Sequence, residues 1–239
     1  MSENPRLMPT ALVTGVNRGI GLEFTRQLAA QGWQVLACCR QPESAEALQQ
    51  LAASFPGKIR LYALSVESPA QIEALAVNLR GQPLDLLINN AGYYPGGMNE
   101  TLGHTNRELW LRAFEINTIA PLKISEALIN NLEQGQGKTI ALITSKMGSL
   151  DDNTSGGVYL YRTSKAALNM VAKSLAQDLE PRGIKVALLH PGWVKTDMGG
   201  PNAWISAQES VAGMLKIILN LGWQDTGRFL AYDGKEIEW

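Results

Sequence analysis

Tyr161 and Lys165 stand four residues apart in the run Tyr161-Arg162-Thr163-Ser164-Lys165, which opens an apolar-periodic stretch. On a helix such positions are neighbours. An ammonium beside a phenol stabilises the phenolate and would pull a pKa of about 10 towards neutrality. A tyrosine tuned in this way can act as a general acid or base. The same spacing also occurs in plain surface pairs, so the chemistry depends on what the rest of the chain brings to this helix.

The elements that must position the pair alternate between two periods. Thr10-Ala11-Leu12-Val13-Thr14-Gly15 is a short apolar run ending in a glycine turn, and Gly19-Ile20-Gly21 then opens a helical pattern through about Gly32. Strand, glycine loop and helix in that order suit a pyrophosphate: glycines let the backbone turn and approach the anion, and the helix N-terminus faces it. A plain glycine turn is the competing account. A second run, Gln34 to Cys39, ends at Arg40, where an NAD-preferring fold carries an acidic residue. Arg40 and Arg18 could instead clasp a 2′-phosphate, the alternative being two solvated surface arginines.

Further on, the pattern predicts a helix near 43–54, a strand near 58–65, a helix near 69–80 and the strand Leu84 to Asn89. A polar loop over 93–104 leads into one long helix over about 106–132, with Asn117 inside it and Pro121 one turn later. Helix interiors disfavour asparagine, so Asn117 implies a bend, a core hydrogen bond or a water site. A strand over 138–144, the helix of Tyr161 to about Glu180, a strand over 185–190, a helix over 207–221 and an edge strand over 228–232 complete the chain. This alternation predicts one α/β domain, a doubly wound parallel sheet of about seven strands with helices on both faces. Residues 8–135 form its cofactor-binding half and 136–239 its catalytic and substrate half.

Taken together, Thr14-Gly15-x-x-x-Gly19-x-Gly21, Asn89-Asn90-Ala91-Gly92, Asn117, Ser145, Tyr161-x-x-x-Lys165 and Pro191-Gly192 with Thr196 resemble the classical short-chain dehydrogenases/reductases in order and spacing. The resemblance spans Thr10 to Trp239. Tyr161 to Asn169, Thr196 to Gly200 and the ending from Tyr232 look most like the C-factor/sniffer-type carbonyl reductases. It implies a Rossmann fold and a catalytic set of Asn117, Ser145, Tyr161 and Lys165. Tyr161 would protonate a carbonyl oxygen, Lys165 would lower the phenol pKa and hold the nicotinamide ribose, Ser145 would hydrogen-bond the substrate oxygen, and Asn117 would bend its helix and anchor a water. Cofactor contacts would come from Gly15, Asn17, Arg18, Gly19, Ile20, Gly21, Arg40, Ser65, Val66, Asn90, Ala91 and Gly92, with Tyr161, Lys165, Pro191, Gly192, Val194 and Thr196 at the nicotinamide end.

Two departures stand out. Ser65 occupies the place of the family's usual aspartate at the adenine, and the interval from Ser145 to Tyr161 is a few residues long, with Thr144 and Ser149 as fallback hydroxyls. The implied function is an NADP(H)-dependent oxidoreductase, with NADP(H) rather than NAD(H), acting on a small carbonyl or alcohol. A nucleotide-sugar epimerase or dehydratase fits less well, because only about 40 residues follow Thr196. A non-catalytic NADP(H)-binding sensor or signalling protein on the same fold is the alternative.

Composition excludes other classes. A net charge of -1 without like-charge runs gives no nucleic-acid footprint and no polybasic membrane patch. Cys38 and Cys39, adjacent in an apolar run, suit buried thiols in a reducing compartment, and the two histidines, His104 and His190, form no zinc-ligand cluster. With no signal core and no long apolar span, a cytoplasmic protein is expected. The family implies a homodimer or homotetramer packed through the helices of Asn117 and Tyr161. Tyr93, Tyr94, Met98, Met147, Tyr159, Trp193, Met198 and Trp204 lie in or beside the crevice loops and suggest an apolar or aromatic substrate, although each also suits a core or an interface.

Overall fold

Strands that read as continuous apolar runs must be covered on both faces, and this requirement sets the architecture. The computed structural model describes residues 8–96 and 100–239. Seven strands, β1 (Thr10–Thr14), β2 (Gln34–Cys39), β3 (Ile59–Ala63), β4 (Leu86–Asn89), β5 (Thr139–Ile143), β6 (Lys185–His190) and β7 (Phe229–Ala231), form one sheet in the order β3-β2-β1-β4-β5-β6-β7. All six pairings are parallel. The order reverses between β1 and β4, so the crevice at their carboxyl ends is a topological switch point.

The helices are α1 (Gly19–Ala30), α2 (Glu46–Ser54), α3 (Pro69–Asn78), α4 (Arg107–Phe114), α5 (Ala120–Ala127), α6 (Ile129–Gln134), α7 (Tyr159–Leu179) and α8 (Ala207–Leu219). Successive strand residues point to opposite faces, and the core divides accordingly. Leu12, Leu36 and Leu87 pack with Leu75 of α3, Ile124 of α5 and Leu168 of α7. Their neighbours Val13, Val35 and Ile88 pack with Phe24 of α1, Leu48 of α2 and Met214 of α8. Side-chain caps start several helices where the sequence pattern places them: Ser68 accepts from Gln71 N, Asn106 from Leu109 N and Ser206 from Glu209 N.

The long helix expected over 106–132 is broken. Between α4 and α5 lies a π-helical segment, Glu115–Ile119, with Asn117 at its centre, and Leu128 leaves helical geometry at φ -106 and ψ 7 before α6. Pro121, with no N–H, removes one donor from the α-helical ladder at this turn, and the wider π turn accommodates the loss. Among the described residues no helix is long and apolar enough to cross a membrane, and no cluster of His, Cys, Asp or Glu could hold a metal.

At the amino end of the sheet, Asp85 joins three strands. Its Oδ2 accepts from Thr10 N at 2.8 Å, and its Oδ1 accepts from Gln136 N at 2.7 Å and Gly137 N at 3.1 Å. Hydrogen bonds to a carboxylate are stronger than neutral ones. Asp85→Ala should therefore lower unfolding free energy by about 2 kcal/mol in urea melts. Because Asp85 lies at the opposite end of the sheet from the crevice, the variant should retain its activity per folded molecule.

Candidate active site

The residues expected to do chemistry come from separate elements and meet at the carboxyl end of β4 and β5. Asn117, fully buried in the π segment, closes on the chain after β4: its Nδ2 donates to Tyr93 O at 2.8 Å, and its Oδ1 accepts from Tyr93 N at 2.7 Å. The same Nδ2 donates to Ser164 Oγ on α7 at 3.0 Å, and Ser164 Oγ donates to Tyr161 O at 2.8 Å. Thr118 Oγ1 adds a bond to Ser164 O at 2.7 Å. The π turn thus fixes the loop after β4 and the helix of Tyr161 together. The core hydrogen bond expected of Asn117 is present, made from a π turn in its helix.

Lys165 is buried, and its Nζ donates to Ile143 O at the end of β5 at 3.0 Å. A Cβ built on Gly92 would lie 3.6 Å from Asn117 Oδ1 and 3.9 Å from Lys165 Nζ, which places these three residues side by side. Ser145, also buried, follows β5 and accepts from Met147 N at 3.2 Å, and its hydroxyl favours the ionised Tyr161 phenol. The fallback hydroxyls are engaged elsewhere: Thr144 Oγ1 donates to Asn169 Oδ1 at 2.6 Å, and Ser149 Oγ accepts from Asp152 N at 3.1 Å.

The electrostatics correct one expectation. The sequence spacing has Lys165 pulling the phenol towards neutrality, yet its Nζ is turned to a carbonyl and lies 5.8 Å from the centre of the Tyr161 ring. Burial pushes the phenol up to about 12, with Tyr94 and Glu100 adding to the rise and Ser145 opposing it. Burial also brings Lys165 down to about 8. Desolvation disfavours both charged forms, and in the protein alone it outweighs their mutual attraction.

The glycine loop has the shape of a phosphate cradle. Gly15 has φ +72, and a Cβ there would lie 2.9 Å from Ala91 Cα; a Cβ on Gly21 would lie 2.2 Å from Gly15 O and 2.5 Å from Asn90 Nδ2. Asn90 Nδ2 donates to Thr14 O at 2.8 Å and Gly15 O at 3.2 Å, while Thr14 Oγ1 accepts from the N–H groups of Asn90 and Ala91, each at 3.0 Å. Helix α1 starts at Gly19 with no side-chain cap from Arg18. Its first-turn N–H groups on Gly19, Ile20 and Gly21, beside exposed Asn17, suit a diphosphate, and the loop fits the group that the motif implies.

Arg18, like Arg40, is exposed. It forms a 2.8 Å ion pair with Asp197, linking the glycine loop to the chain after β6, and Arg40 stands at the end of β2. The physical reason is proximity: a Cβ on Gly19 would lie 3.3 Å from Thr196 Cγ2, so Arg18 reaches the adjacent carboxylate. Pro191, Gly192, Val194 and Thr196 follow β6, with Gly192 at φ +82 and Val194 buried. Ser65 and Val66 follow β3 and are half-buried, with Ser65 N donating to Gln71 Oε1 at 2.7 Å.

A family model described as short chain dehydrogenase matches residues 9–204. The chain belongs to the short-chain dehydrogenase family. It is 47% identical over 168 residues to C-signal of Myxococcus xanthus, covering 70% of this chain and all of that protein. An NADPH-bound carbonyl reductase from chicken fatty liver superposes with a TM-score of 0.90 at 38% identity, covering 97% of this chain and 99% of that one. The carbonyl reductase Sniffer of D. melanogaster gives a TM-score of 0.90 at 32% identity over 98% of this chain and all of its own.

Three roles at this short-chain dehydrogenase site escape the sequence reading: Thr14 as the acceptor joining two loops, Ser164 as the relay from Asn117 to Tyr161, and Glu100 as an acceptor for Tyr161 N. Ser164 lies inside the Tyr161 to Lys165 motif, and its position one residue before Lys165 was the available signal. Glu100 had none, being a loop carboxylate far from Tyr161 in sequence. The crevice aromatics divide. Tyr94 packs edge-on against Tyr161 at 5.1 Å and Trp193 against Trp204 at 5.3 Å, whereas Met98 lies outside the described residues.

The Lys165 shift has a measurable consequence. Its pKa falls from 10.5 for a free lysine side chain to about 8 in the fold, so between these values the unfolded chain binds the extra proton and stability rises with pH. The Tyr161 shift is opposite in sign and acts only above about 10, where it lowers stability. Wild-type protein should therefore gain about 2 kcal/mol between pH ~8 and ~10, and Lys165→Met should lack that gain. Urea melts of both proteins across the window would measure it.

Proposed function

We propose that this protein is an NADP(H)-dependent carbonyl reductase, or alcohol dehydrogenase in reverse, using Tyr161 as its general acid and base. The observation that carries the reading is the junction of a glycine cradle at β1 with half-buried Tyr161 and buried Ser145 and Lys165 at β5 and α7. The relative with NADPH bound and the one called a carbonyl reductase in a fly support it. The cofactor would be held by Gly15, Asn17, Gly19, Ile20 and Gly21 at its diphosphate, Arg18 and Arg40 at the 2′-phosphate, and Ser65 and Val66 at the adenine. Asn90, Ala91, Gly92, Tyr161, Lys165, Pro191, Gly192, Val194 and Thr196 would hold the remainder. In this division residues 8–135 form the cofactor-binding half and 136–239 the catalytic half.

When bound, NADPH supplies a hydride to the carbonyl carbon. The chain supplies the rest. The Tyr161 hydroxyl donates its proton to the carbonyl oxygen, and a phenol pushed up to about 12 is fully protonated at neutral pH, the form that reduction needs. Ser145 donates a hydrogen bond to the same oxygen as charge develops there. Lys165, brought down to about 8, exchanges protons close to neutrality and can restore the phenol. Asn117 holds Tyr93 and, through Ser164, the backbone of Tyr161.

The substrate is a small carbonyl compound or alcohol with an apolar or aromatic body, bordered by Tyr94, Trp193 and Met198, each partly exposed. The chain assembles as a homodimer or homotetramer through α4, the π segment and α7, where Leu111, Ile119 and Met170 expose apolar surface. Its two cysteines are free and buried, which suits the cytoplasm. The non-catalytic sensor remains a second reading because of the identity to a protein named C-signal.

NADPH oxidation followed by absorbance against ketones, aldehydes and quinones separates the two. Tyr161→Phe should lower turnover by at least ~100-fold with NADPH binding kept. Binding without turnover across the panel would favour the sensor. The cofactor arm is tested separately: Arg40→Ala should weaken NADPH relative to NADH, whereas Asp197→Asn, by releasing an exposed ion pair, should tighten NADPH by no more than about 5-fold in titrations.

A further inference from the structure

Glu100 is a carboxylate with 1% of its surface exposed, in a loop that runs from β4 to α4. Among the described residues no ion pair involves it. Its two oxygens each accept one backbone N–H: Oε1 from Gly96 at 3.0 Å, and Oε2 from Tyr161, 61 residues away, at 2.8 Å. Burying a charge without a cation is costly unless hydrogen bonds replace its water, so the location calls for an explanation.

The entry to α7 provides one. Gly156, Gly157 and Val158 are consecutive left-handed residues, with φ of 65, 62 and 50. Val158 occupies the N-cap position and has no side chain that can cap. The first-turn N–H of Tyr161 would therefore lack a partner inside the chain segment that delivers it. Glu100 supplies the missing acceptor from another loop, and a negative group at a helix N-terminus also meets the helix dipole favourably. Its other oxygen fixes Gly96, two residues after Tyr94, whose ring packs edge-on against Tyr161. One carboxylate thus pins the tyrosine backbone and the loop that presses on its ring.

We infer that Glu100 is a positioning residue for proton transfer: its charged carboxylate braces the Tyr161 backbone at the head of α7 against the loop of Tyr94. This inference rests on the function proposed for Tyr161. The groups around that phenol are Lys165 from α7 itself, Tyr94 from the loop after β4 and the uncharged Ser145 after β5, with Glu100 held at the backbone N–H of the same tyrosine. Lys146, next to Ser145, is taken up by Asp152 at 2.8 Å. Glu100 is the negative carboxylate in this set, and the direction of its influence on the phenol is upward.

The test replaces Tyr161 with difluorotyrosine, whose fluorine NMR shift reports ionisation of that phenol without any turnover, in protein carrying Glu100, Glu100→Gln or Glu100→Asp. Glu100→Gln removes the charge and should move the phenol titration to lower pH. Glu100→Asp keeps the charge and should leave it near the wild-type position, even if shorter reach lowers the melting temperature. In otherwise unmodified enzyme, the acid limb of the alcohol-oxidation profile should move down in Glu100→Gln alone, raising the rate at a pH below the limb by about tenfold for each pH unit the limb moves. An unchanged fluorine titration in folded Glu100→Gln, or the same change in both variants, would overturn the inference. Absence of turnover with the altered fluorine titration present would instead count against the proposed reaction and leave the role of Glu100 standing.

Discussion

A single buried amide ties the cofactor side of the crevice to the catalytic side. Asn117 satisfies both polar groups of the Tyr93 backbone and reaches Ser164 on α7. The amide makes these bonds from the centre of a π turn, and Pro121 removes a donor where the helix widens. The loop after β4 and the first turns of α7 then cannot move independently. Breaking this junction would leave several buried polar groups without partners, each costing about 1–3 kcal/mol, which is why one local irregularity governs the geometry of the site.

The sheet supplies the frame for that junction. Because β1, β4 and β5 are buried along their whole length, their backbone polar groups are spent on each other, and free groups collect where the strands end. At the carboxyl ends those groups face the crevice. At the amino ends Asp85 takes three of them. The polarity of a parallel sheet thus separates a stabilising end from a working end.

Elements governed by local spacing are legible in the sequence. β6 runs Lys185–His190 as the pattern predicts, α1 and α7 begin close to the expected residues, and Ser145, Tyr161 and Lys165 come together. What the pattern misses depends on distance in the chain. Periodicity across 106–132 shows an apolar face but cannot register a wider turn within it, so it predicts one helix where four segments stand. Spacing assigns Arg18 and Arg40 to a phosphate but cannot show that Arg18 also reaches Asp197, 179 residues away. Glu100 carries no motif, since its partners are backbone groups that any residue offers.

The phenol is the most instructive departure, because the spacing predicts its geometry and not its charge balance. Residues four apart on α7 do become neighbours, but proximity fixes only the sign of their interaction. Its weight depends on how far each group is removed from water. Lys165 is buried and Tyr161 half-buried, and desolvation runs both shifts against ionisation, the phenol up to about 12 and the amine down to about 8. At neutral pH the protein's own residues therefore hold the phenol protonated, while Lys165 at about 8 is mostly ammonium but close to its titration. Any group that brings negative charge to Lys165 favours its ammonium, which in turn favours the phenolate. The direction in which the site moves protons is then set by what binds beside Lys165, while the fold itself holds the proton-donating form.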